Sequence, residues 1–515
     1  MIRRLVLGTT AVVGLVTVPA TAVAAPAAAP PPLRQQLDQV LADPSLQGAT
    51  TDLVVRDAAT GSTLYARNAD TRLVPASNAK LYTSAAAMDL LGPDFRFRTT
   101  AATSGTRVGR VLQGNLYLKG YGDPTITAAG YDQLAASVAA GGITRVNGAL
   151  VADDTSFDAE RYAPFWSLDD TPYYYSAQTS ALTVSPDDIA DSGTVLINVT
   201  PAATVGAPPR VTVTPANSYV TVVNQATTGT AGSPRTVSAG RTADSATITV
   251  TGSIPRGSAV YASQPTVVEP TGLAADVFRT ALARHGVTVT QPTQFAASPP
   301  TAAVVATRRS APLSQVLVPF LKLSNNMVAE ALTKAMGAST TGGQGTWADG
   351  TAAIEAHAAA NGVDPADLQL YDGSGLGRAD LTTGRATTNL LLALRSKPWF
   401  STWYAALPVA GEPDQLVGGT LRNRMGGTAA AGNLHGKTGS LTGVSSLSGY
   451  VTDAKGRLLV FSMMSNGQTS SVTAVQDAVG VTLANRGSSA ATVSSSSFPA
   501  STPATTFACS MDRVC

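Results

Sequence analysis

The sequence predicts an α/β (α+β) fold, in which one antiparallel sheet flanked by helices is split by a large β-rich insertion. Three observations carry that reading: a strand pair beside helices near the N-terminus, a second such group near the C-terminus, and a long stretch of different character between them. From Leu33 the order is helix ("LRQQLDQVLA"), strand ("TTDLVVRDA"), a turn at Thr60-Gly61, strand ("TLYARNA"), then an Ala-rich helix that begins near Ser77. The chain closes with "NLHGKTGSLTGVSSLSGYVTD", a turn at Lys455-Gly456, "RLLVFSMMSN" and the helical "SVTAVQDAVGVTLAN". Alternation followed by apolar runs makes these further antiparallel strands, with the last helix on the same sheet as the first. The two end segments, residues 25–96 and 307–486, are therefore expected to build one domain together.

Residues 97–306 read as an inserted domain. "NLYLKGYGDP", "GALVADDTSF", "TVLINVTP", "RVTVTP", "ATITVTGSI" and "AVYASQP" are short β-like runs separated by Gly, Pro, Asn and Thr, with helices only at "YDQLAASVAA" and "TGLAADVFRTALARHG". The middle, about 190–263, is purely β-like and is expected to form a nested β subdomain. No repeat of fixed period argues for a propeller or solenoid.

The ends of the chain carry address signals and a tail. Arg3 and Arg4, the apolar run Leu5 to Val18 and the small residues Ala22-Val23-Ala24 form a secretory signal over residues 1–24. The apolar run is too short to span a bilayer, although a single N-terminal anchor is the alternative. The mature chain is then expected to lack a transmembrane segment and to work outside the cytoplasm, secreted or held in the compartment beyond the membrane. Residues 487–515, Ser/Thr-rich and poor in apolar residues, read as a disordered tail. The tail holds both cysteines, Cys509 and Cys515, where a small disulfide loop is plausible.

Composition excludes several function classes. A formal net charge of +2 with 13% charged residues gives neither a basic stripe for nucleic acid nor a polybasic membrane patch. Lysine is scarce, which makes a lysine inside a short motif informative. Three such motifs occur once each and in order: Ser77-Asn78-Ala79-Lys80, Ser324-Asn325-Asn326 and Lys437-Thr438-Gly439. S-x-x-K and S-x-N are individually near chance, K-T-G is not, and their ordered co-occurrence is specific.

The chemistry explains each residue type. A serine hydroxyl is a poor nucleophile until a base removes its proton. Lys80, one helical turn beyond Ser77, can reach that hydroxyl. The positive end of the helix and a second nearby lysine would lower its pKa. Ser324 would carry the proton toward a leaving amine, and the Asn326 carboxamide would hold a substrate amide. Lys437, on an edge strand with Thr438 and Gly439, would supply positive charge for a substrate carboxylate. The backbone N–H groups of Ser77 and Ser440 would form an oxyanion hole.

The triple motif resembles that of penicillin-binding proteins and class A β-lactamases. The long span between Ser77 and Ser324 makes the chain similar to the low-molecular-mass (class C) penicillin-binding proteins that are D-alanyl-D-alanine carboxypeptidases and endopeptidases, peptidase family S13. "GYGDPTI" (120–126), "GALVADDTSFD" (148–158), "YSAQTSALTVSPD" (175–187), "YDGSGLGRAD" (371–380) and "LPVAGEPDQLVGGTLRNR" (407–424) resemble family signatures in family order. The resemblance runs from about Leu33 to Asn485. It implies a penicillin-recognising, β-lactamase-like fold, peptidoglycan stem peptides as substrates, acylation by β-lactam antibiotics, and no cofactor or metal. It further implies a pocket for the diamino-acid side chain of the stem, with Trp166, Asp169 and Tyr174 from the insertion and Leu376 and Arg378 from the "GLGR" loop.

Each motif also has a structural reading. Ser77 could cap its helix, Asn325-Asn326 could be a turn, and K-T-G a strand end. His435 could form a Ser-His pair but is assigned a structural or rim role. "DGSGLG" lacks a G-x-S-x-G elbow and reads as a tight loop at the cleft edge, and Glu412 as a loop residue. The rival functions are a serine β-lactamase, disfavoured by the insertion and by the absence of a deacylating glutamate, and an inactive wall-binding or antibiotic-sensing module, disfavoured by the intact Ser77, Lys80 and Lys437.

Overall fold

The computed structural model describes residues 1–2, 31–488 and 493–498. Residues 3–24 of the expected signal and the two cysteines lie outside the described residues. At its centre is an antiparallel sheet whose strands run, edge to edge, His435–Leu441, Val444–Thr452, Leu458–Asn466, Leu53–Asp57 and Thr63–Arg67, with Thr50–Thr51 also pairing Leu458–Asn466. The sheet thus joins both ends of the chain, in the register Val55 opposite Phe461 and Gly439 opposite Ser446.

Period-two alternation distributes the apolar side chains of this sheet over two cores. Leu53, Val55, Leu447, Leu459, Phe461 and Met463 pack on one face with the helices Leu33–Val40 and Thr473–Ala484. Tyr450 and Val460 point to the other face, against a helical layer built on Ala79–Leu90. Every residue of that helix from Ala79 to Met88 is buried. A helix surrounded by protein needs small, non-branched residues on all sides, which explains its alanines. The α-helix starts at Ala79, and Ser77 sits before it in a 3₁₀ turn, Ala76–Asn78, with no side-chain cap.

The strands between residues 98 and 309 form separate sheets. One has the order Gln294–Phe295, Leu150–Asp153, Leu116–Gly120, Arg98–Thr103, Ala303–Arg309 and mixes parallel with antiparallel pairs. The expected boundary at 306/307 falls inside the strand Ala303–Arg309, which pairs with Arg98–Thr103. In the middle, Leu196–Thr200 pairs with Arg210–Thr214 and Tyr261–Ser263, while Ile248–Thr251 pairs with Val222–Asn224 and Ser238–Gly240. Ile197, Val199, Ile248 and Val250 join the same apolar cluster as Leu116, Leu134 and Phe278, so these strands share the core of the insertion.

The tail departs from expectation at one point. Val493 and Phe498 pack against the core containing Leu37 and Val475, and the Ser495 hydroxyl donates to Asp43. Two apolar side chains suffice to seat a short 3₁₀ turn, Ser495–Ser497, on the final helix.

Candidate active site

The three motifs meet where the central sheet, its helical layer and the insertion come together. Lys80, completely buried in the second position of its helix, donates from Nζ to Ser77 Oγ at 2.8 Å, to Asn326 Oδ1 at 2.7 Å and to the Ser374 carbonyl at 2.7 Å. Asn326 opens the helix Asn326–Thr341 and donates in turn to the Tyr175 carbonyl at 2.7 Å. Its neighbour Asn325 is the N-cap, accepting from Val328 N at 3.0 Å, so the paired asparagines divide the structural and site roles. Lys437, also completely buried, donates to Ser324 Oγ and to the Thr438 carbonyl, both at 2.8 Å. Thr438 Oγ1 donates to Thr420 Oγ1 at 2.7 Å.

Backbone geometry aims the two serines. Ala76 and Ser324 both adopt left-handed φ, 48° and 59°, a cost that packing must hold in place. The Ala76 turn is held from two sides. Ser446 Oγ donates to Pro75 O at 2.7 Å, and Gly375 lies so close that a Cβ there would meet Ala76 O at 1.8 Å. On the other side the edge strand approaches through Gly439, where a Cβ would come within 2.9 Å of Ser77 N. Leu441 and Val444 flank the two-residue hairpin turn, so pair alternation directs the Ser440 N–H away from the sheet. Ser440 and Ser77 both line one cavity.

Electrostatics corrects one expectation. Burial is the main cause that brings Lys80 down to about 7, rather than the helix end or the second lysine, while Asp372, Glu330 and Asp380 oppose it. Lys437 is held well below its ordinary value by burial and by Lys80. The sequence reading missed the three acids. Asp372 accepts from the backbone N–H groups of Ser374, Gly375 and Gly377 at 2.6–3.0 Å and from the Trp166 indole at 2.7 Å. Glu330, raised to about 7 by burial and then by Asp372, accepts from Trp347 Nε1 and Gly373 N. Asp380, beside Asp372, is pushed well up by burial. "DGSGLG" is therefore more than a cleft-edge loop: wrapped around Asp372, it presents the Ser374 carbonyl to Lys80. An aspartate leading a glycine-rich turn was the available signal. Glu330 and Asp380 left none.

A cavity of 790 Å³ opens over this centre, walled by Ser77, Ser324, Asn326, Thr438, Ser440, Leu376 and Tyr174 among others. Of the expected side-chain pocket, Tyr174 and Leu376 line it. Trp166 packs in one apolar cluster with Leu376 behind the wall. Asp169 is exposed on the turn Leu168–Asp170, and Arg378 is exposed with Nη2 donating to Thr442 O at 3.0 Å. These two stand outside the wall. His435 stacks on Tyr404 at 4.2 Å between ring centres, brought down to about 4 by burial and Lys322, and it is not among the cavity residues. Among the described residues no group of three or more His, Cys, Asp or Glu side chains could hold a metal ion, and no helix is long and apolar enough to cross a membrane.

The model of the D-Ala-D-Ala carboxypeptidase 3 (S13) family matches residues 33–486. The chain belongs to that family. It is 47% identical over 456 residues to a D-alanyl-D-alanine carboxypeptidase of Actinomadura sp., covering 88% of this chain and 84% of the relative. It is 24% identical over 424 residues to the D-alanyl-D-alanine carboxypeptidase DacB of Haemophilus influenzae, covering 82% and 86%. Among solved structures, penicillin binding protein 4 (dacB) from Haemophilus influenzae superposes with a TM-score of 0.75 at 23% identity, covering 87% of this chain and 97% of that one. At that identity the likeness is one of fold, and it gives this S13 chain a mixed α/β architecture with sheets flanked by helices.

Proposed function

We propose that this S13 chain is a serine D-Ala-D-Ala carboxypeptidase of peptidoglycan stem peptides, working through an acyl-enzyme on Ser77. The observation that carries the assignment is a buried lysine, near neutrality at about 7, with its nitrogen 2.8 Å from a serine hydroxyl at the cavity wall. Neutral Lys80 takes the Ser77 proton as Ser77 Oγ attacks the carbonyl between the two D-alanines. The N–H groups of Ser77 and Ser440 receive the oxyanion. Asn326, fixed between Lys80 and Tyr175 O, orients the substrate amide. Ser324, hydrogen-bonded to Lys437, carries the proton that Lys80 took on to the leaving D-alanine nitrogen, so that Ser324 is unchanged and Lys80 is neutral again when water attacks the acyl-enzyme. Lys437 with Thr438 and Gly439 meets the terminal carboxylate, and water then releases the shortened peptide. The same site opens β-lactams, and cleavage of peptide cross-links is the same chemistry on a longer leaving group. Tyr174 and Leu376 meet the stem side chain in the cavity, with Trp166 packed behind Leu376, and where the side chain reaches past the wall Asp169 faces its ammonium and Arg378 its carboxylate. The signal-like N-terminus supports an extracytoplasmic site of action.

Fluorescent penicillin followed by peptide mapping tests the reading. A long-lived adduct on Ser77 is expected. No adduct, or one on Ser324 or Ser374, overturns it.

A further inference from the structure

The cavity over Ser77 does not end at the motifs. It continues along the middle strands of the insertion, where its wall includes Ser238, Thr247, Thr249, Thr251, Tyr261 and Ser263. On Ile248–Thr251 the alternation is strict: Ile248 and Val250 turn into the apolar core, while Thr247, Thr249 and Thr251 are half-buried on the cavity side. A strand with one solvated face ordinarily carries polar residues there, and here every one of them is an uncharged hydroxyl. Ser238 and Thr251 hydroxyls meet at 3.0 Å across the sheet, which extends the row sideways.

The charges on this wall are few. Arg241 is buried and committed to backbone and hydroxyl acceptors, including Thr171 O and Thr266 Oγ1. Asp191 receives the Asn325 amide. Arg235 lies over the Tyr261 ring at 5.8 Å, a flat polar surface at the end of the hydroxyl row. A second stem peptide, bearing carboxylates and an amine, would find few counter-charges there. A neutral ligand rich in hydroxyl and amide groups would find donors and acceptors throughout.

We propose that this wall is a subsite for the neutral, N-acetylated saccharide that carries the stem peptide, so that the protein reads the sugar and the scissile D-alanines in one continuous cavity. The proposal rests on the peptidase function given above.

The test compares a free pentapeptide ending in D-Ala-D-Ala with the same pentapeptide attached to its N-acetylated disaccharide, using the full-length protein. The expected result is about a tenfold higher kcat/KM for the saccharide-bearing substrate, lying in KM, which two hydroxyl contacts can supply. The double variant Thr247→Val with Thr249→Val keeps the shape and the β propensity of the strand. It should lose the preference while a penicillin still acylates Ser77 at the wild-type rate, which reports an intact fold. Equal turnover of the two substrates by the wild type, or a preference that survives in the variant, overturns the proposal. A preference confined to a sugar-free cross-linked peptide dimer also overturns it, in favour of a second peptide. Loss of penicillin labelling and of pentapeptide turnover in the wild type would remove the peptidase reading itself, an outcome distinct from these.

Discussion

The two walls of the cavity are built on opposite principles. The motif wall rests on buried charge: Lys80 and Lys437 are completely buried, and Asp372 with Glu330 and Asp380 lies behind them. The insertion wall is half-exposed and almost uncharged, a row of hydroxyls on a strand. Burial lets the first wall change a pKa by units, since desolvation penalises only the charged form. A neutral hydroxyl gains no such leverage. Chemistry therefore belongs on the first wall, and the second can contribute only binding.

The largest effects should come from the motif wall. Lys80→Arg keeps the charge and removes the base, and acylation by penicillin should fall by about two to four powers of ten. In the wild type the neutral form of Lys80 increases as pH rises through about 7. Stopped-flow acylation should therefore rise about tenfold per pH unit below that value and level off above it. An Arg variant that acylates at the wild-type rate would show that Lys80 is not the base.

Carboxylate recognition comes next. A charge-assisted hydrogen bond at a buried site is worth about 1.5–3 kcal/mol, so substrates amidated at the C-terminus should turn over about ten- to a hundredfold more slowly. Equal kcat/KM for acid and amide would take Lys437 out of that role.

The turn beneath Ser77 offers a structural break of the same wall. Gly375 has φ 79°, and an added Cβ would meet Ala76 O at 1.8 Å. Gly375→Ala should lower stability by about 2 kcal/mol and slow acylation at least several-fold by displacing the nucleophile's turn. Thermal unfolding and acylation kinetics read the two effects separately, and a variant unchanged in both would mean that the loop yields freely.

The smallest effect is at the rim. Asp169→Ala should reduce, by about one power of ten, the preference for a stem peptide with a free side-chain amine over its N-acetylated counterpart, while leaving penicillin acylation unchanged. Asp169 stands exposed outside the wall, so this effect requires the substrate side chain to reach beyond the cavity. A wild type that cannot tell the two peptides apart would end the assignment.

What the sequence determined by itself was local or periodic. Alternation marked the strands of the central sheet, the Ala-rich run marked a helix, and the ordered co-occurrence of three short motifs pointed to Ser77, Lys80, Ser324, Asn326 and Lys437, because each motif is a local spacing that can be read without knowing the fold. Tertiary structure decided the rest. Whether Ser77 lies in the helix or in the turn before it depends on Gly375 and Gly439 pressing from elements far along the chain. Whether Glu330 and Asp380 are surface acids or part of the charge beneath Lys80 depends on what covers them, and an acidic residue carries no mark of its own burial. The same holds for Thr247 and Thr249: alternation shows that they share a face, but only the contacts of the insertion with the N-terminal end of the helix Asn326–Thr341 and with Asp372 bring that face into the cavity that Ser77 also lines.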